Sequence, residues 1–565
     1  MKLYSITILA GISILFAGCA KEIIESPAVS AEDGFVITAK AIAPGANIKT
    51  KVDYTDPYSE VEDQADITAG AWSVGDKFTA LEINGDVVTA VTFTTSGSGA
   101  SAEFKSSGAV EANENTAWIA VSGNATVENN LLVCSYEGQN GTLANLGNYD
   151  YAVAQSTGTT PSFDFSAGKR LTYVMRLLLP ADIQYIEFNT GKDRNGGWNI
   201  TSAAKAQGTI SCTEKEAVHM ITLPAVSTAK QAVYLAVPAI DLMHSSENRL
   251  AGLIITILSP DQKLSQGKTI SSNLSAKGGH AGTYDMSNLE LMPRPLPSEA
   301  VNLGSVTYGG KTYPLGNWAP FVVGGDFPGD DDAIKGNLYS WAETEPKTSF
   351  TDANYRWKNS SNYDTGRGYK NIGAMAGVEP FIEVHYAGGK GFQCGPGTYY
   401  DIGGTKYDVA RVKWGSAWRM PSNEICCNLL RDTDYRLTPE IDVDNKVTFT
   451  EYEPGTYTNF LGYRSSNLGC VVFEANGKRL EFYRSPYTDN GSFNNSGREG
   501  RYWMSCTDYG TRFYTDNPDS ESGNYWNRAC QLRLIYPNSD GISENYVNNK
   551  SWVWDGLRVR AVLAE

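Results

Sequence analysis

The amino-acid sequence predicts a mainly β protein of more than one domain, and three observations carry that prediction. Runs of strand length rich in Val, Ile, Thr and Phe recur along the chain, and two pairs of them flank an Asn-Gly dipeptide. Helical periodicity of useful length is scarce. The 565 residues exceed what one core supports, since single cores stop growing near ~250–300 residues. With 41% hydrophobic and 19% charged residues, the chain can bury several cores and lacks the composition of a disordered one.

The chain opens with Lys2 and a mostly apolar run from Leu3 to Ala17. That run is shorter than the ~20 apolar residues of a bilayer-crossing helix, and a short apolar run behind a positive charge reads as an export signal. It ends in Phe16-Ala17-Gly18-Cys19, which resembles the bacterial lipobox, where small residues admit a peptidase that cuts before an acylated cysteine. The resemblance implies a signal peptide over residues 1–18, lipidation of Cys19, a lipidated linker over 19–33 and an outer-membrane, cell-surface location. Several acyl chains on one cysteine anchor a protein durably, because each buried methylene contributes ~0.8 kcal/mol. Lys21, Glu22 and Glu25 stand where some lipoproteins carry a surface-export signal.

A formal charge of −16 and a pI near 4.9 argue against nucleic acid, whose binding surface must trade counterions for lysine and arginine. After Cys19, Cys134 and Cys212 precede residue 300, and Cys394, Cys426, Cys427, Cys470, Cys506 and Cys530 follow it. Export permits disulfides, and spacing alone leaves their pairing open. There is no Cys-x-x-Cys pair, and the four histidines, His219, His244, His280 and His385, are scattered, so no zinc-ligand spacing appears.

In the first half, Phe78 to Ile83 and Val87 to Phe93 surround Asn84-Gly85, a dipeptide suited to a two-residue hairpin turn. Val87, Val91 and Phe93 share one face of the second run, and Val88, Thr92 and Thr94 take the other. Ala232 to Val237 and Leu253 to Leu258 are further strands, and Val471 to Phe473 and Leu480 to Tyr483 flank Asn476-Gly477 in a second hairpin. The length of the first half suits two consecutive β-sandwiches. Residues 291–298 (LMPRPLPS) hold three prolines, which favours an extended spacer. Nine of the twelve tryptophans lie beyond residue 300, so the two halves are expected to be different folds.

Residues 34–293 resemble the fimbrillin family of pilus subunits, through 34–40 (GFVITAK), 50–53 (TKVD) and 71–78 (AWSVGDKF). The resemblance implies tandem β-sandwiches, split near residue 165, and assembly with other fimbrial subunits by strand exchange. No arginine precedes Arg170, so an arginine-specific cut near the first strand has no site. That departure favours a subunit that keeps its lipid, at the tip or base of a fibre or standing alone.

Residues 301–565, after a proline-rich linker over 294–300, are similar to the Fibrobacter succinogenes major paralogous domain. Four blocks in order carry this: 338–347 (LYSWAETEPK), 407–422 (YDVARVKWGSAWRMPS), 502–507 (YWMSCT) and 557–562 (LRVRAV). The resemblance implies an α+β, C-type-lectin-like domain related to the formylglycine-generating enzymes. Pro421-Ser422 is expected to open a short helix with Ile425, Leu429 and Leu430 inward. The oxidising relatives need a spaced cysteine pair, which adjacent Cys426-Cys427 cannot supply without strain, so the chain is not expected to be an enzyme.

Calcium is the candidate cofactor. Asp326 with Asp330 and Asp332 could gather carboxylates for it, and the competing reading is a solvated loop. Trp341, Trp414, Trp418 and Trp503 are core candidates. Trp357, Trp526, Trp552 and Trp554, set among Asn, Ser, Asp and Tyr, form a candidate stacking surface for sugar rings or proteins. The sequence therefore points to an outer-membrane lipoprotein adhesin like a tip or anchor fimbrial subunit, with a free-standing glycan-binding lipoprotein as the alternative.

Overall fold

The computed structural model describes residues 36–40 and most of the chain from 72 to 564. Residues 1–35, 41–71, 190–209, 239–252, 271–280, 326–335, 356–362, 370–381, 387–396, 452–461, 508–527 and 536–545, with shorter stretches between, lie outside the description. The protein is mainly β, and its first half is a tandem β-sandwich arrangement. Among the described residues no helix is long and apolar enough to cross a membrane.

The first layer is an eight-stranded sheet in which Val36–Lys40 lies between Ser101–Ser106, antiparallel, and Phe163–Asp164, parallel. Its inward positions are aromatic: Trp72, Phe78, Phe93, Phe104, Trp118, Phe163 and Phe165 form one core, with Phe78 and Phe93 stacked at 5.1 Å. The expected hairpin is present as Lys77–Asn84 and Val87–Thr95. Asn84 pairs with Val87, so the two loop residues are Gly85 and Asp86, one position later than expected. Gly85 takes the positive φ, +61°, that a two-residue hairpin loop demands. Val91 and Phe93 are buried as the alternation predicts, and Val87, beside the turn, is exposed.

The second sandwich packs a three-stranded sheet, with Thr172–Leu179 at its centre, against a five-stranded sheet containing Tyr185–Asn189, Ile254–Leu258 and Leu264–Thr269. Tyr173, Met175, Leu177 and Leu179 from one sheet meet Ile186, Phe188, Ile255 and Ile257 from the other. A short helix, α1 (Leu143–Leu146), opens on the Thr142 cap and helps close the space between the two sandwiches.

The C-terminal half combines a five-stranded sheet, a four-stranded sheet and two helices, α2 (Val409–Trp414) and α3 (Asn423–Arg431). The expected helix after Pro421 is α3: the Ser422 hydroxyl accepts from the Ile425 amide at 3.3 Å, and Ile425 and Leu429 face the core. Cys426 is buried in that same core. The second hairpin turns on Asn476 and Gly477, both at positive φ (+52° and +67°), as a type I′ turn requires. Trp341, Trp414, Trp418 and Trp503 are all fully buried in one cluster.

Candidate functional site at the junction of the two halves

The best-defined polar arrangement lies where α2 meets the outer face of the second sandwich. Alternation explains what the sandwich offers there: Ile186 and Phe188 enter the core, so Glu187 and Asn189 point outward. Thr256 and Ser265 occupy the same outer face on the neighbouring strands. A sandwich surface of this kind ordinarily meets water, yet Glu187 is 2% exposed and Asn189, Thr256 and Ser265 are fully buried. What covers them is α2.

α2 is six residues long and buried on every side. Its last carbonyls have no partner within the helix, and side chains from the second sandwich and the proline-rich segment supply them. The Thr256 hydroxyl donates to the Val412 carbonyl at 3.1 Å, the Ser265 hydroxyl to Lys413 at 2.8 Å, and the Arg294 Nε to Trp414 at 2.6 Å. A cation at this negative end of the helix is electrostatically favoured. In return, the Ser416 amide and hydroxyl donate to the Glu187 carboxylate at 2.6 and 3.0 Å. Arg411 Nη2 donates to Asn189 Oδ1 at 2.7 Å.

Two glycines permit this approach. A Cβ on Gly267 would stand 1.8 Å from the Val412 carbonyl oxygen. Gly415, which ends α2 at φ +88°, would place one 2.9 Å from a Glu187 oxygen. At the other end of the helix, Asp408 is a fully buried cap whose carboxylate accepts from the amides of Gly404, Ala410, Arg411 and Met420 at 2.8 to 3.2 Å. Burial pushes its carboxyl up to about 6 against the pull of those amides and of Arg411.

Burial likewise raises Glu187, opposed by its Ser416 hydrogen bonds and by the Arg411 and Arg294 charges. It lowers both arginines, opposed by Glu187. Lys413 is also lowered by burial, opposed by Glu345, to which its Nζ donates at 3.0 Å. Charges of both signs thus offset one another out of water, where pairing and hydrogen bonding lower the cost of burial, with Arg411 Nε left unsatisfied among them.

The proline-rich segment, expected as an extended spacer, is part of this packing. Its Pro293 and Pro295 carbonyls accept the indole N–H groups of Trp414 and Trp418 at 2.9 and 3.1 Å, and Arg294 is 5% exposed. The reason is its company: carbonyls flanked by prolines are open acceptors, and buried indoles need partners.

A second polar cluster, also not foreseen, lies on the strand Glu499–Thr507. The Tyr487 hydroxyl donates to Glu499 Oε1 at 2.5 Å, Arg501 Nη2 donates to both at 2.9 and 3.1 Å, and Arg533 also holds the carboxylate. The Arg501 guanidinium sits 3.7 Å from the Tyr487 ring centre. Burial opposes ionisation of Glu499, but its three hydrogen-bond donors outweigh it and hold the carboxyl low.

Of the residues singled out in the sequence, Cys19, Asp326, Asp330, Asp332, Trp357 and Trp526 lie outside the described residues. Trp552 ends the strand Tyr546–Trp552. Trp554 is not part of an exposed stacking surface. It is 6% exposed and belongs to the tryptophan core, and its carbonyl accepts from the Ser340 hydroxyl at 3.1 Å. The cause is the closing segment, where Leu557, Val559 and Ala561 are fully buried and carry Trp554 inward with them. Among the described residues, no group of three or more His, Cys, Asp or Glu is placed to hold a metal ion.

No family model matches the chain, and no curated protein does. Among solved structures, a candidate cell adhesion protein from Bacteroides fragilis matches at 8% identity, over 46% of this chain and 98% of its own, with a TM-score of 0.27. A candidate cell adhesion protein from Bacteroides ovatus matches at 14% identity, over 47% and 95%, with a TM-score of 0.25. A fimbrial protein from Bacteroides ovatus matches at 11%, over 51% and 58%, with a TM-score of 0.21. Likeness at such scores places no constraint on what this chain does.

Proposed function

We propose that this chain is a lipid-anchored surface adhesin, acylated at Cys19, in which the β-sandwiches act as stalk or adaptor and the C-terminal half is presented outward. The observation that carries this reading is the junction. A tethered protein that displays a distal domain needs that domain at a fixed attitude. Here the last carbonyls of α2, Glu187 and the proline-rich segment tie the two halves together through buried hydrogen bonds. The N-terminal lipobox-like run supplies the tether. Other fimbrial subunits are the proposed partners, because Val36–Lys40 fills the gap between two strands, and an equivalent strand from a neighbour would satisfy the same backbone groups.

The test is made in the native host with the full chain and a Cys19→Ser variant. Wild-type protein is expected to incorporate a clickable fatty acid, to be shaved from intact cells by added protease and to support attachment of cells to a host-derived surface; the variant is expected to lose all three. Wild-type protein without fatty acid, or protected from protease on intact cells, overturns the reading.

A further inference from the structure

Three cysteines of the C-terminal half, Cys426, Cys506 and Cys530, face one core. Two of them stand on neighbouring antiparallel strands, Glu499–Thr507 and Arg528–Ile535. The side-chain alternation sets their direction: Tyr502, Met504 and Cys506 enter this core together with Cys530, Leu532 and Leu534, while Trp503 and Ala529 enter the other one. Register sets their proximity. Thr507 pairs with Ala529, so Cys506 and Cys530 are the next positions inward on the two strands. They lie at the irregularity between Trp503 and Thr507, where residues 504–506 face the single residue 530. The structure holds both as reduced thiols; regular facing positions on antiparallel strands lie ~4.5–5.5 Å apart between Cα atoms, and a disulfide spans ~4.4–6.8 Å, which leaves room for the bulge.

We propose that Cys506 and Cys530 are joined by a disulfide in the mature protein, stapling the two strands at the base of the long connection between them. The proposal rests on the export reading, since disulfides persist in oxidising compartments. Both positions are buried, at 1% and 0% exposure, so the bond forms before the sheet closes and is shielded afterwards. The oxidant is an exported thiol–disulfide oxidase. One cysteine thiolate attacks the enzyme's disulfide and expels one of its thiols, and the second cysteine thiolate then displaces the other. One S–S bond forms and one breaks, and the protein's two electrons and two protons leave on the reduced enzyme. Cys426, on α3, lies in the same core and takes no part in the bond.

The test uses full-length protein purified from native envelopes, unfolded in denaturant with an alkylating agent but no reductant, then digested for mass spectrometry. The expected result is a linked peptide pair containing Cys506 and Cys530, with Cys426 alkylated; reductant applied after unfolding releases both. Alkylation of Cys506 and Cys530 without reductant overturns the proposal, as does either one linked to Cys426 or to another cysteine. The same spectrum reports the fatty acid on Cys19, which separates two failures. Reduced thiols with an acylated Cys19 sink the disulfide alone, and reduced thiols with an unmodified N-terminus sink the export reading too. A Cys506→Ala/Cys530→Ala variant is expected to fold and to melt roughly 5–10 °C lower. An unchanged melting temperature counts against the bond.

Discussion

Glu187 shows what a single residue contributes to the join between the halves. Truncation by Glu187→Ala leaves the Ser416 amide and two arginines facing an empty, water-poor site, and breaking a buried pair in this way costs ~3–5 kcal/mol. Glu187→Gln keeps an acceptor for the Ser416 amide and is expected to cost less than half as much, as read by urea denaturation. The pH dependence follows from the direction of the shift. Burial raises the Glu187 carboxyl above its ordinary 4.5, so between that value and the raised one the folded protein keeps a proton that the unfolded chain has released. Stability from this group therefore falls as pH rises through that window and is level above it. Asp408, raised from 3.8 to about 6, acts in the same sense. Acidification from pH 7 to pH 5 is thus expected not to loosen the junction through these two groups, and Glu187→Gln is expected to flatten the slope; a steeper slope in the variant contradicts the assignment. None of this was legible in the sequence. Alternation along Tyr185–Asn189 explains why Glu187 faces outward, but its covering partner lies 229 residues away, and no local pattern encodes that.

At the scale of elements, legibility followed the kind of signal. Strands with a two-residue period and the Asn476-Gly477 turn were readable because backbone and side-chain chemistry agree over a few residues. Gly477 at φ +67° meets nothing within 4 Å of a built Cβ, so Gly477→Ala is expected to cost only the backbone strain, about 1 kcal/mol, seen as a small fall in the denaturation midpoint. α2 gave no such signal. Six residues that include Arg411 and Lys413, buried all round, show no amphipathic stripe, because the partner on one side is polar. What starts the helix is Asp408, a cap whose two oxygens serve four amides. Asp408→Asn keeps the shape but sets an NH2 group against amide donors, and it is expected to cost several kcal/mol, about as much as a buried polar group left unsatisfied. Hydrogen exchange is expected to localise the loss to α2 and its flanks. Trp554 was misread for a related reason: polar sequence neighbours suggested exposure, while the apolar alternation just after it, at Leu557, Val559 and Ala561, was the stronger cue.

For the whole molecule, the junction decides whether the chain behaves as beads on a string or as one strut. Domain interfaces within a chain are commonly loose, but this one buries charge, uses up the last carbonyls of α2 and admits no Cβ at position 267. The second sandwich and the C-terminal half are therefore expected to unfold together, in one calorimetric transition. Gly267→Ala puts a methyl 1.8 Å from a backbone oxygen, an approach that nothing short of separating α2 from the sheet relieves. Because the inner faces of the sandwich and the tryptophan core are untouched, each half keeps its own packing. The variant is expected to split the shared transition into two and to enlarge the particle in small-angle scattering at unchanged secondary structure. If Gly267→Ala instead melts as one unit with the parent dimensions, the halves are not coupled through α2, and the fixed presentation on which display depends has no structural basis.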